Sequence, residues 1–171
     1  MRIHFVFIAA LASACLLSAQ TAASHIAEGK QTYQPVKNNL QRMAEQMPEE
    51  NYSFKPTPDI RSFGELVAHV ADVQANYCSR VAGDPKKVNA ASKTSKADLV
   101  EALKESSAMC DAAFDSLTDA TAGQPSGAGN RSKLALLEYN SVHSNEEYGY
   151  MSVYMRLKGL VPPSSAGRGG R

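Results

Sequence analysis

Two histidines and one glutamate have the residue types and the spacing to hold a metal ion. His143 and Glu147 lie one helical turn apart in "VHSNEEYGYMSVYMRLKGLVPP", so on a helix they point the same way. His69 lies in "SFGELVAHVADVQANYC", on the edge of a second apolar face. Imidazole nitrogen and carboxylate oxygen both bind a divalent transition metal at about 2.0–2.2 Å. A pair at i and i+4 reaches a common point, and a third ligand from a facing helix leaves positions open for water. Two histidines and a carboxylate form a catalytic zinc set and also a facial iron set. Read structurally instead, His69 is a hydrogen-bonded core histidine and Glu147 pairs with solvent or a lysine. Glu146 points about 100° away on an ideal helix. Asp72 and Tyr139 stand at helical distance from His69 and His143 and are candidates to orient the imidazoles. The remaining histidines, His4 and His25, fall in or just after the leader. There is no G-x-S-x-G, no P-loop and no C-x-x-C.

The elements that must carry these residues are helical. The first spans roughly 32–47, with Val36, Leu40, Met43 and Met47 at helical spacing and Pro35 in its first turn. The linker "ENYSFKPTPDIR" follows, and its prolines forbid helix. The second helix opens on the capping box of Ser62 and Glu65 and stops at Gly83 and Pro85. The third starts after Ser95, its apolar seam running from Leu99 to Leu117. A Gly-rich connector, "TAGQPSGAGN", precedes a fourth helix from Asn130 or Ser132 to Lys158, with Gly159 as its stop. The pattern predicts an all-α protein, a four-helix bundle.

An apolar run from Ile3 to Leu17 after Arg2 is too short to span a membrane, which takes about 20 residues, and resembles a secretory signal. Residues 1–23 are thus read as a leader, 24–163 as the bundle and 164–171 as a disordered tail. The expected destination is the periplasm or the exterior, with a lipoprotein anchored at Cys15 as an alternative. Without Arg2 the remaining domain is formally neutral and has no basic stripe, which argues against nucleic acid.

Cys78 and Cys110 survive removal of the leader, and in an exported protein an even number points to a disulfide. Cys78 follows Ser62 by 16 positions and Cys110 follows Ser95 by 15. Parallel helices with level starts put the thiols at one height; a tight antiparallel hairpin separates them by about 12 Å at about 1.5 Å rise per residue. A disulfide tolerates Cα separations only up to about 7 Å. The disulfide therefore goes with a crossover connection between the second and third helices. Two free buried thiols in an up-down bundle are the alternative.

The segments "SFGELVAHVADVQANYC" and "HSNEEYGYMSVYMRLKGLVPPSS" resemble the second and fourth helices of the DinB-like family of metal-binding four-helix bundles. The family pattern of three histidine ligands falls on His69, His143 and Glu147, with glutamate in place of the third histidine. The resemblance implies one divalent transition metal (zinc, nickel or iron) and a metal-dependent hydrolase or transferase acting on an unknown small molecule. It also implies pairing into homodimers. The glutamate leaves open a non-catalytic bundle that binds a small ligand or partner at a degenerate site.

Overall fold

The computed structural model describes residues 4–166, with side chains from His25 onward. Five helices, α1 (His4–Gln46), α2 (Phe63–Ala82), α3 (Lys96–Asp115), α4 (Asp119–Ala122) and α5 (Lys133–Leu157), carry the chain, and no strand occurs among the described residues. α4 is a single turn; the other four form the bundle, so the fourth helix of the sequence reading is α5.

Local signals set most of the helix ends. The Ser62 hydroxyl accepts from the Glu65 N–H at 3.2 Å, and the Glu65 carboxylate accepts from the Ser62 N–H at 2.6 Å. These reciprocal bonds satisfy donors that a helix start leaves orphaned. Ser95 and Ser132 cap α3 and α5 in the same sense, through the N–H groups of Asp98 and Ala135. α2 ends at Gly83, whose φ of 81° is left-handed and strains any side chain.

α1 departs from expectation. It already runs helical well before residue 32, and Pro35 sits inside it rather than in its first turn. Pro35 has no N–H for the carbonyl of Gln31, a loss that ordinarily breaks a helix. Packing overrides it: Gly29 lies against Leu134 and Phe114, and Ile26 packs on the same cluster. Tyr33, Leu40, Met43 and Met47 are fully or almost fully buried. The connector after α3 also departs, since it forms α4 before its glycine turns.

The cysteines are joined, with Cα atoms 4.8 Å apart. Contacts between α2 and α3 climb in step: Gly64 lies by Leu99, Gln74 bonds Ser106 and Ser107, and Cys78 joins Cys110. The two helices are therefore parallel, which requires the crossover connection expected from the cysteine spacing. That crossover is fastened to α2. The Asp72 carboxylate accepts from the N–H groups of Ala90 and Ala91 at 2.8 and 2.9 Å, and the Ser79 hydroxyl accepts from Lys86 N–H.

α5 runs antiparallel to α2, with Phe63 near Tyr154 at one end and Tyr77 near Tyr139 at the other. α1 runs antiparallel to α3, through Lys37–Asp111 at 2.8 Å and Lys104–Glu45 at 2.7 Å. At mid-height the core turns polar. Gln74 is fully buried, its amide donating to Ser144 and its carbonyl accepting from Ser106 and Ser107. Beyond α5, the turn Pro163–Ser165 is held by Tyr148, whose hydroxyl donates to Ser164 Oγ and accepts from Ser164 N–H.

The first three residues of the expected leader, and residues 167–171 of the expected tail, lie outside the described residues, as do the side chains before His25. Among the described residues no helix is long and apolar enough to cross a membrane. A buried disulfide is compatible with an exported protein.

Candidate metal centre

His69 lies in the second turn of α2, and His143 and Glu147 occupy successive turns in the middle of α5. Because α2 and α5 are antiparallel neighbours, the three side chains meet. His69 Nε2 is 3.1 Å from His143 Nε2, and Glu147 Oε1 is 3.6 and 3.7 Å from those nitrogens. A triangle with sides of 3.1, 3.6 and 3.7 Å has its centre about 2.0 Å from every corner, within the about 2.0–2.2 Å of zinc–nitrogen and zinc–oxygen bonds.

The surroundings prepare these atoms as ligands. Burial pushes both imidazoles below their usual value of 6.5, reinforced at each by the positive charge of Arg61. The rings are thus neutral at pH 7, and their contacts with Glu147 are not ion pairs despite the short distances. To share one ion, both Nε2 atoms would have to present lone pairs, with each proton on Nδ1. His143 Nδ1 is buried without a protein partner.

Glu147 is the deepest of the three, its side chain 8% exposed against 16% for His143 and 29% for His69. Burial pushes its carboxyl above the usual 4.5, an effect that Arg61 opposes and Glu146 reinforces. Its second oxygen, Oε2, has no hydrogen-bond partner. A carboxylate buried beside two neutral rings is costly unless a cation compensates it.

This has a measurable consequence in metal-free protein. With its folded pKa raised, Glu147 costs no stability below pH 4.5, and stability falls as pH rises from 4.5 through the folded value. Glu147→Gln removes that loss. In EDTA the variant should melt above wild type at pH 8 and close to it at pH 4. A lower melting temperature at pH 8 would show that the carboxylate already has a compensating partner.

The neighbours sort differently from expectation. Asp72 does not orient His69, because its carboxylate is spent on the crossover. Tyr139 packs at a tilt against Tyr77 and lies under the Arg131 guanidinium, 3.9 Å from the ring centre, rather than reaching His143. Glu146 accepts from the Tyr150 hydroxyl at 2.8 Å, away from the imidazoles.

Two openings flank the centre. A cavity of about 390 Å³ is reached by His69, with Arg61, Asp72 and Lys93 on its walls. A larger cavity of about 640 Å³ is reached by Glu147, with Ile60, Leu66, Val153 and Tyr154 supplying apolar walls. Arg61 lines both, although the sequence showed it only as the end of a proline-containing linker.

The same arrangement of helices occurs in known proteins. No curated protein sequence matches this chain. The crystal structure of a DinB-like protein from Bacillus cereus ATCC 10987 superposes with a TM-score of 0.66 at 18% identity, covering 79% of this chain and 93% of that one. At that identity the likeness concerns the fold. The family model of the DinB superfamily matches residues 33–151. That span takes in α2, α3 and the part of α5 that bears His143 and Glu147, and on it the chain belongs to the DinB superfamily.

Proposed function

We propose that the protein binds one divalent transition metal ion through His69 Nε2, His143 Nε2 and Glu147 Oε1, and works as an exported metal-dependent hydrolase or group-transfer enzyme. The observation that carries this reading is the convergence of three ligand atoms from two helices around one point at bonding distance from each. Zinc fits the donor set best, since two histidines and a glutamate recur in zinc hydrolases; iron accepts the same donors and nickel accepts imidazole. When bound, the ion supplies Lewis acidity to a water or a substrate oxygen.

The chain's own residues do the rest. The neutral imidazoles donate lone pairs without losing a proton first. Glu147 brings one negative charge, so the centre is less electrophilic than one with three imidazoles. Its Oε2 is left free to accept a proton or a hydrogen bond beside the centre. The two cavities leave the ion an open side. Hydrolysis is favoured over thiol transfer because a cytosolic thiol cofactor is scarce where a disulfide such as Cys78–Cys110 persists.

Metal analysis of protein purified without a polyhistidine tag tests the reading. The expected result is close to one equivalent of metal per chain, removed by chelator and restored by zinc. Zinc added to stripped protein at 100 times its dissociation constant should stabilise the fold by about 2.7 kcal/mol. Protein that retains no metal and gains no thermal stability from zinc, nickel or iron would overturn it.

A further inference from the structure

We infer that Arg61 is an anion-binding residue, and that the ligand of this site is a small molecule with an apolar body and a carboxylate or phosphoryl head. The inference rests on the metal-centre reading only for what the anion is brought beside.

Arg61 is exposed, and its guanidinium makes no ion pair among the described residues. It lines both cavities, the smaller beside His69 and the larger beside Glu147. A guanidinium held free beside a cavity recognises planar oxyanions through two parallel hydrogen bonds.

Its backbone is fixed in advance. The Arg61 carbonyl accepts from the Tyr154 hydroxyl at 2.6 Å, and the next residue is Ser62 with its two capping bonds. Anchoring the backbone on both sides removes its share of the ordering cost when a ligand arrives, leaving only the side chain to be ordered. Tyr154, which makes the anchoring bond, is also a wall of the larger cavity.

The rest of that cavity selects the ligand's body. Ile60, Val153 and Tyr150 are 42%, 55% and 51% exposed, so an apolar group would cover surface that otherwise faces water. At about 640 Å³ the cavity lies inside the about 300–1,000 Å³ range of small-molecule sites. Two carboxylates stand on the same walls, Asp59 and Glu147. Asp59 lines the larger cavity together with Arg61, and a cation held by Glu147 would lower the negative charge of that wall further. Glu65 lies nearby in the smaller cavity but is occupied by Lys55 at 3.1 Å and by the cap.

Three probes of matched body test the inference by calorimetry: 3-phenylpropanoate, 2-phenylethylphosphonate and 3-phenylpropanol. Each is titrated into wild type, Arg61→Gln and Arg61→Lys, with zinc and in EDTA. In EDTA at least one anion should bind wild type about tenfold or more tighter than the alcohol, as charge-assisted hydrogen bonds predict. Arg61→Gln should erase that preference and Arg61→Lys should restore part of it. The tighter anion names the head group. Equal binding of anion and alcohol, an anion preference that survives Arg61→Gln, or no binding by any probe would overturn the inference. Circular dichroism checks that each variant folds. Because discrimination is read without metal, its failure stays separate from a failure to bind zinc, which the same titrations with metal report.

Discussion

His69→Ala should lose stoichiometric metal while the bundle stays folded. His69 is the most exposed of the three ligands, at 29%, and it shares no hydrogen bond with the polar layer around Gln74. Its removal therefore leaves the core intact, and the remaining His143–Glu147 pair supplies only two donors from one helix. Losing a partner behind a ligand already costs about 10–100-fold in metal affinity, so losing the ligand itself should cost more than about 100-fold. Titration of stripped protein with zinc measures this, and thermal melting in EDTA shows that the fold survives. Zinc affinity in His69→Ala within a factor of a few of wild type would place the ion elsewhere. His143→Ala should show the same metal loss with a larger effect on melting, because His143 is more buried.

Cutting the disulfide should be the largest single loss of stability. The bond closes a loop with a sequence separation of 32, for which chain entropy predicts about 3–4 kcal/mol. Cys78 and Cys110 are both fully buried, so reductant should reach them only when the bundle opens. In Cys78→Ala/Cys110→Ala the unfolding free energy from urea melts should fall by about 3–4 kcal/mol, lowering the midpoint, with zinc still bound if the ligand helices redock. Thiol titration of unfolded, unreduced wild type should find neither cysteine free. Two free thiols there, or an unchanged midpoint in the double variant, would rule the bond out as a stabilising element.

Helix starts that depend on one hydroxyl and one carboxylate were legible in the sequence, as at Ser62 and Ser95, because the cap is local. The parallel pairing of α2 and α3 was legible for a different reason. Two cysteines at nearly equal distances from two caps encode a height, and a bond between them encodes a direction. The three residues of the candidate centre were legible from spacing and resemblance, but their convergence depended on α2 facing α5, which periodicity alone does not state.

The misses share a cause, since each was decided by a partner remote in sequence. α1 continues through Pro35 because Leu134 and Phe114 hold Gly29. Asp72 serves the crossover because Ala90 and Ala91 arrive with unpaired N–H groups. Gln74 carries no local signature of a place at the bundle centre, which three serines from two helices give it. Arg61 sat in a segment whose prolines said only that it was not helical.

The disulfide has a consequence for motion as well as for stability. It welds α2 to α3, so His69 rides on a unit that cannot separate, whereas α5 is held to that unit only by packing and hydrogen bonds. His143 and Glu147 travel with α5. An ion gripping both sides would act as a second, reversible staple, and its grip would be set by how often α5 swings away. Metal occupancy and the hydrogen-exchange protection of α5 amides would then be two readings of one opening equilibrium.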